Sequence, residues 1–283
     1  MNVLDCLNWT VSYIEQHITE DIEYKKLADS TGIPVYHFQK MFACMADVPL
    51  TEYIRRRRMS LAAEELLKGN RKIIDVALKY GYNSPTAFNR AFQGIHGVSP
   101  SMVKKGCVPA VSYPALQFSF SVKGSGKLNF RIEKKESFRI LGISSPLARE
   151  LEKNFKTIPR RWDQALANGT LDRLLSLMDG KPSGLMGVSV HHGEDWRYFI
   201  AVSSSQSAKG MEAYEFPAAS WAVFSGEGTN KSLQELERRV ITEWLPSSGY
   251  DYADIPDIEV YLKADPDDCV YEYWLPVILP QSI

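Results

Sequence analysis

No uninterrupted apolar run in the 283-residue sequence approaches the roughly 18 residues that a membrane helix needs, so the chain is not expected to span a bilayer. Its start, Met1-Asn2-Val3-Leu4-Asp5-Cys6, lacks the basic and apolar regions of a secretory signal. Four cysteines (Cys6, Cys44, Cys107, Cys269) stand far apart without a C-x-x-C, which reads as free thiols in a reducing, cytoplasmic setting. With 18 Gly and 15 Pro, the chain is neither collagen-like nor low-complexity. No G-x-S-x-G, H-E-x-x-H or Cys–His signature occurs, so no catalytic residue, metal or cofactor is expected. His191-His192-Gly193-Glu194-Asp195 holds ligand-type side chains, but strand neighbours face opposite sides, and it reads as a polar hairpin turn. Gly124-Ser125-Gly126-Lys127 is not a phosphate loop, because Ser121 stands where the earlier Gly belongs and Leu128 follows the Lys.

An excess of either charge is also missing: 33 Lys and Arg face 34 Asp and Glu, a net of −1, which argues against a nucleic-acid partner. Division at Gly106 removes that objection. Residues 1–106 hold 14 basic and 11 acidic residues, a net of +3; the remainder holds 19 and 23, a net of −4. Of six Trp, only Trp9 lies in the first part.

What is present first is helical spacing. Leu4, Leu7, Val11, Ile14 and Ile18 form one apolar stripe. Short helices follow around Tyr24–Ser30 and Val35–Met45, with Thr31-Gly32 as the turn and Pro34 opening the second. Pro49 opens a long helix to Leu67, and Ile73–Tyr80 and Ser84–Ile95 repeat the short pair around Gly81 before a last helix at Ser99-Pro100. The length suggests two domains. They are expected at 1–106 and 127–283, with 107–126 a linker that lends a strand over Leu116–Val122. From Leu128 the spacing turns to period 2, with strands expected at 128–133, 138–143, 185–191, 196–203, 211–216, 220–226, 257–263 and 269–277. Helices are expected over Pro159–Ala167, continuing to Met178, and over Lys231–Leu245. Strand–helix–strand–strand thus occurs twice. The fold class that follows is an all-α domain, then an α+β domain with one antiparallel sheet and two helices on one face.

The sharpest local signal is Ile73-x-x-Val76-Ala77-x-x-x-Gly81-Tyr82-x-Ser84-x-x-x-Phe88-x-Arg90-x-Phe92-x-x-x-x-Gly97-x-Ser99-Pro100. Ala77 lets two helices cross closely, Gly81 supplies a left-handed turn, and Ser84 caps a helix anchored by Phe88 and Phe92. Thr86, Asn89, Arg90 and Gln93 then face outward, as a helix-turn-helix needs in the major groove. Leu27-Ala28-x-x-x-Gly32 with Phe38 and Phe42 repeats the arrangement, with Tyr36, Gln39 and Lys40 outward. The 20 residues from Pro49 to Lys68 span about 30 Å, close to the ~34 Å between successive major-groove faces. Arg55-Arg56-Arg57-Arg58 point in four directions, so at most two reach one phosphate and the rest are expected to be solvated or paired within the chain.

Residues about 5–105 resemble the DNA-binding domain of the AraC/XylS family. The resemblance implies seven helices, two helix-turn-helix units, transcription regulation and double-stranded promoter DNA as partner. It makes Tyr36, Gln39, Lys40, Thr86, Asn89 and Arg90 the base-reading candidates. Pro34 in place of a Ser cap, Asp47 where Gly is common, and the outward Pro85 depart from the family pattern.

In the second half, Glu215-Phe216-Pro217-x-x-x-Trp221-Ala222-Val223-Phe224-x-Gly226-x-Gly228, Glu243-Trp244-Leu245-Pro246, Ile258-Glu259-Val260-Tyr261 and Tyr271-Glu272-Tyr273-Trp274-Leu275-Pro276 occur in order. They resemble the GyrI-like effector-binding domain, here placed second in a Rob-like arrangement. On the last strand, alternation sets Glu272 and Trp274 on one face and Tyr271, Tyr273 and Leu275 on the other. One face is expected to pack on the helices and the other to form an open aromatic cleft. A carboxylate in such a cleft suits a lipophilic cation. The resemblance assigns that carboxylate to Glu272. The wall candidates read from the aromatic and acidic positions are Trp162, Tyr198, Trp221, Phe224, Trp244, Glu259, Tyr261 and Trp274. The bland alternative is a Glu272 satisfied by a neighbouring Lys, Arg or Tyr.

Three readings result. The chain is a regulator that binds DNA and a small-molecule effector; or its second half hydrolyses a small electrophile, with Glu272 and a nearby Tyr as general base; or that half only contacts a partner protein such as RNA polymerase.

Overall fold

The computed structural model describes residues 3–31, 33, 35–119, 127–148, 151–192, 195–264 and 268–279. Gly32 and Pro34 of the first turn, Gly124–Gly126 and the Gly193-Glu194 hairpin tip lie outside the described residues. The chain divides into two compact units, Met1–Ser121 and Val122–Ile283.

Among its described residues the first unit has seven helices: α1 (Val3–Gln16), α2 (Tyr24–Thr31), α3 (Val35–Ala46), α4 (Leu50–Leu67), α5 (Ile73–Lys79), α6 (Pro85–His96) and α7 (Pro100–Lys104). Of the expected α1 stripe, Leu7, Val11, Ile14 and Ile18 are buried; Leu4 is half-buried and Val3 takes its place in the core. In α4, Tyr53, Ile54 and Leu66 are buried as expected, whereas Leu67 is exposed. The α5–α6 pair sits on α4 through Met59, Ala62, Leu66, Val76, Phe88 and Phe92. Gly81, at φ 83°, makes the left-handed turn between α5 and α6. Asp47, at φ 54°, takes the same kind of conformation after α3 without glycine's freedom.

The expected linker behaves otherwise. Residues 107–119 form no strand and stay with the helical unit, Asn8 and Arg57 donating to their carbonyls and Tyr53 and Ser60 accepting from their N–H groups; the end of the expected strand, 120–122, lies outside the described residues.

The second unit is one antiparallel sheet. Its strands are β1 (Phe130–Lys135), β2 (Phe138–Pro146), β3 (Leu185–His192), β4 (Asp195–Ser203), β5 (Glu212–Phe216), β6 (Ala219–Gly228), β7 (Asp251–Tyr252), β8 (Ile258–Lys263) and β9 (Cys269–Ile278). All eight expected strands are present, and the short β7 is added on β9. The order is β1-β6-β9-β8-β3-β4-β2-β5. It reads as two strand–helix–strand–strand halves meeting at β8 and β3, each with its leading strand exchanged: β1 pairs with β6 and β5 with β2.

Only two residues join β5 to β6, which lie near opposite ends of this order, so the sheet must curl until those ends meet. Phe138 and Phe216 from one end meet Trp221 from the other, tilted at 6.2 Å and edge-on at 5.8 Å between ring centroids. The inner face is thereby filled by Met186, Val188, Phe199, Val223, Ile258 and Trp274. The outer face carries α8 (Leu151–Ala167), α9 (Thr170–Leu177) and α10 (Asn230–Arg239). The last helix continues through a π-helical stretch at Val240–Trp244 into α11 (Leu245–Ser248). α8 starts eight residues before the expected Pro159, which sits inside it.

Candidate functional site

On α6 the expected geometry holds. Ser84 is extended and its Oγ accepts the Ala87 N–H at 3.4 Å, while Pro85 occupies the first turn, where no N–H is needed. The Tyr82 N–H closes the preceding turn on the Ala77 carbonyl at 2.9 Å, and Gly97 at φ 71° ends the helix. Phe88 and Phe92 are fully buried with rings 5.6 Å apart. That fixes the rotation of the helix, leaving Thr86, Asn89, Arg90 and Gln93 exposed on the remaining face.

α3 departs from the expectation. Tyr36 and Gln39 are buried and Lys40 is half-buried, so the face expected to read bases is not exposed. The buried set runs Tyr36, His37, Phe38, Gln39, Met41 and Phe42. At about 100° per residue, four consecutive buried positions mean that more than one side of the helix is covered.

The four arginines of α4 are held within the chain. Arg55 and Arg56 both bind Glu52 at 2.7 Å. Arg57 binds Glu15 at 2.6 Å, and Arg58 donates to the Ile18 and Glu20 carbonyls beyond α1. Burial alone would push the Glu15 carboxyl up, but hydrogen bonds from Arg57 and Tyr53 outweigh it and hold the group below its ordinary value.

In the sheet unit, four expected pocket residues meet on the outer face. Trp162 of α8 donates its indole N–H to the Tyr198 hydroxyl at 2.9 Å, and its ring meets Tyr261 edge-on at 4.9 Å. The Tyr261 hydroxyl donates to Glu259 Oε2 at 3.0 Å. Gly187 lies opposite Glu259 in the β3–β8 ladder. A Cβ there would come within 2.3 Å of the Tyr198 hydroxyl and 2.9 Å of Glu259 Oε2, so its absence lets both groups converge. Burial pushes the Tyr261 hydroxyl well above its ordinary value, and the Glu259, Tyr198 and Glu237 charges add to this. Glu237, buried on α10, therefore contributes to the same electrostatic neighbourhood. Sequence reasoning missed Gly187 and Glu237. A glycine inside the strand Met186-Gly187-Val188 was the available signal; Glu237 had none.

Other expected wall residues lie elsewhere. Phe224 and Trp244 form a second aromatic group with Phe130, at centroid distances of 4.9 to 5.8 Å. Trp221 and Trp274 meet at 5.9 Å in the filled interior. Glu272 is on that inner side, where the Arg131 guanidinium binds it at 2.9 Å and the Trp274 indole N–H at 2.8 Å. The face without helices is therefore no open cleft, because curling closes it, and the Glu272 charge is already matched. A separate open cavity of 530 Å³ beside α10 is lined by Lys127, Lys231, Arg239, Glu227, Glu235 and Tyr271 among others, with both signs of charge.

Residues 27–106 match the family model described as helix-turn-helix domain, and residues 131–277 match that of the integron-associated effector binding protein. The activator AarP of Providencia stuartii is 38% identical over 92 residues, covering 32% of this chain and 68% of AarP. The chain belongs to the AraC-type family of transcriptional regulators. SoxS of Salmonella typhimurium is similarly 35% identical over 91 residues, 32% of this chain and 85% of SoxS. Among solved structures, a protein bound to tetraphenylphosphonium aligns with 53% of this chain and 94% of its own at 20% identity, TM-score 0.47. An integron cassette protein of Vibrio cholerae aligns with 53% and 95% at 17% identity, TM-score 0.40. This AraC-type regulator is thus a DNA-binding chain with a GyrI-like effector-binding domain. No described helix is long and apolar enough to cross a membrane.

Proposed function

We propose that this regulator acts in the cytoplasm, reads promoter DNA mainly through Thr86, Asn89 and Arg90, and binds a lipophilic organic cation at Glu259. The observation that carries the effector reading is Glu259 itself. It is a carboxylate on the helix-covered face, hydrogen-bonded to a phenol and neighboured by Trp162, Tyr198 and Tyr261. Such a site attracts a cation by charge and by the aromatic faces, and selects against anions. Effector binding alters DNA affinity to the extent that the two ligands favour different states of the chain.

Trp162 makes the test direct. Tetraphenylphosphonium should quench Trp fluorescence, whereas the equally shaped anion tetraphenylborate and neutral tetraphenylmethane should not. Glu259→Gln should lose the response and Glu272→Gln keep it. Loss in Glu272→Gln with retention in Glu259→Gln would return the site to Glu272, and silence towards all three probes would sink the effector reading.

The 3.0 Å Glu259–Tyr261 contact favours hydrolysis of a small electrophile as a second reading. With its ionisation pushed up, the Tyr261 hydroxyl stays protonated and turns from Glu259 to donate to the ester's carbonyl oxygen. Glu259 takes a proton as water attacks the carbonyl carbon, and returns it as the C–O bond to the alcohol or phenol breaks and that group leaves. Turnover of p-nitrophenyl acetate above the buffer rate, lost in both Glu259→Gln and Tyr261→Phe, would support it. A rate equal to that of Glu259→Gln would end it for this ester.

A further inference from the structure

Residues 107–121 contain no charged side chain, and the described part of this stretch returns across the helices instead of leaving them at Gly106. Residues 108–119 lie in no helix or strand; the Cys107 N–H still closes on the Met102 carbonyl of α7 at 3.2 Å, and the N–H groups beyond it must be satisfied by other means. Side chains satisfy four of them. Val111 N–H donates to His96 Nδ1 at 3.1 Å, and Tyr113 N–H to Ser60 Oγ at 2.8 Å. Leu116 N–H donates to the Tyr53 hydroxyl at 3.4 Å, and Phe118 N–H to Asn8 Oδ1 at 2.9 Å. Two of its carbonyls accept as well, Tyr113 from Arg57 at 2.5 Å and Phe118 from the Asn8 amide at 2.9 Å. The Arg56 guanidinium lies 5.0 Å over the Tyr113 ring, and Phe118 meets Phe42 edge-on at 5.8 Å. Val108 and Ala110 pack on the α4–α6 core.

These seats belong to α1, α4 and α6, with Phe42 of α3 beside them. His96 is the informative one. It occupies the last turn of α6, is buried, and has both ring nitrogens engaged. The Val111 N–H can only donate, so Nδ1 is the acceptor and Nε2 carries the hydrogen given to the Met59 carbonyl of α4 at 3.1 Å. One ring therefore ties the reading helix to the long helix and to the extended segment at once.

We propose that residues 107–118 are a strap that sets the angle of α6 for base reading, with Asn8, Ser60 and His96 acting as positioning residues through it. None of the three stands on the exposed Thr86–Arg90 face. With the strap seated, α6 presents its side chains in fixed register to the base edges. With it released, α6 still meets the duplex electrostatically but discriminates less.

The full chain tests this. A duplex selected from a random library by the unaltered protein, and a scrambled duplex of the same composition, serve as probes. Val111→Pro deletes the N–H given to His96, and Asn8→Ala frees the far end without touching the α4–α6 core. In each, amide exchange at Tyr113 and Phe118 should quicken. The ratio of selected to scrambled affinity should fall roughly fivefold, about the worth of one hydrogen bond. Scrambled affinity and its salt slope should stay as they were, because phosphate contacts are untouched. A purely stabilising strap would leave the ratio unchanged in the folded protein. Quickened exchange with an unchanged ratio, or a parallel fall on both duplexes, overturns the proposal. Should Val111→Pro fail to fold, Asn8→Ala alone decides.

Discussion

Glu259 and Glu272 lie on adjacent strands, and their surroundings give them different uses. Glu272 faces Arg131, whose side chain is 44% exposed, so their pair is a rim interaction. Glu272→Gln is expected to cost at most about 1 kcal/mol in urea denaturation. The alternation that separates Glu272 and Trp274 from Tyr271 and Tyr273 was legible in the sequence. Which side would stay open was not, since that depends on Phe138 and Phe216 reaching Trp221 across the curled sheet. Asp47 was visible as a departure from Gly, and its φ of 54° gives the reason to expect a gain. Asp47→Gly should raise unfolding stability by roughly 1 kcal/mol, read from the urea midpoint. His96 carries a pH prediction. Burial holds its pKa below the ordinary 6.5, so the unfolded chain takes up the proton first as pH falls. Its stabilising contribution is complete above about pH 6.5 and is lost below it, towards the lowered native pKa. Glu15, Glu52 and Glu65, held below their ordinary 4.5, add their losses only near and below that pH. Urea midpoints at pH 7.5 and 5.5 should differ in that direction, and less in His96→Asn.

Among the elements, α6 was readable because each of its requirements is local: a cap at Ser84, a turn at Gly81, and two phenylalanines one turn apart. Ser84→Ala should cost about 1 kcal/mol of stability by the same denaturation measurement. Arg90→Ala should cost about 1–3 kcal/mol of discrimination at one base position, read by competition among single-substituted duplexes. α3 has a similar local pattern, yet Tyr36 and Gln39 are buried, and no stretch of its own sequence announces that. The strap was invisible for a different reason. Pro109 and Pro114 remove any period, and its partners, Asn8, Tyr53 and Ser60, are contributed from far away in the chain. The π-helical widening at Val240–Trp244 had no signal either.

For the whole molecule, the two-part charge division survives the shifted boundary, because residues 107–121 add no charge to the basic helical half. A fragment ending at residue 119 should therefore melt higher than one ending at 106, although their net charges are equal; calorimetry on the two compares them. The duplicated order of strands and helices was legible from alternating periods. The exchange of β1 and β5 between the halves was not, since both are short strands whose sequence names no neighbour. That exchange has a consequence for the order of synthesis. The seats of the strap on α1, α4 and α6 and the strap itself are all present once residue 119 has left the ribosome. β1 must wait for β6, Phe130 aligning with Phe224, and β6 in turn waits for β9. Such distant pairings form slowly. A growing chain thus completes its DNA-reading half while the sheet that will bind an effector is still unpaired, which makes that interval the time of greatest exposure to chaperones and to misassembly.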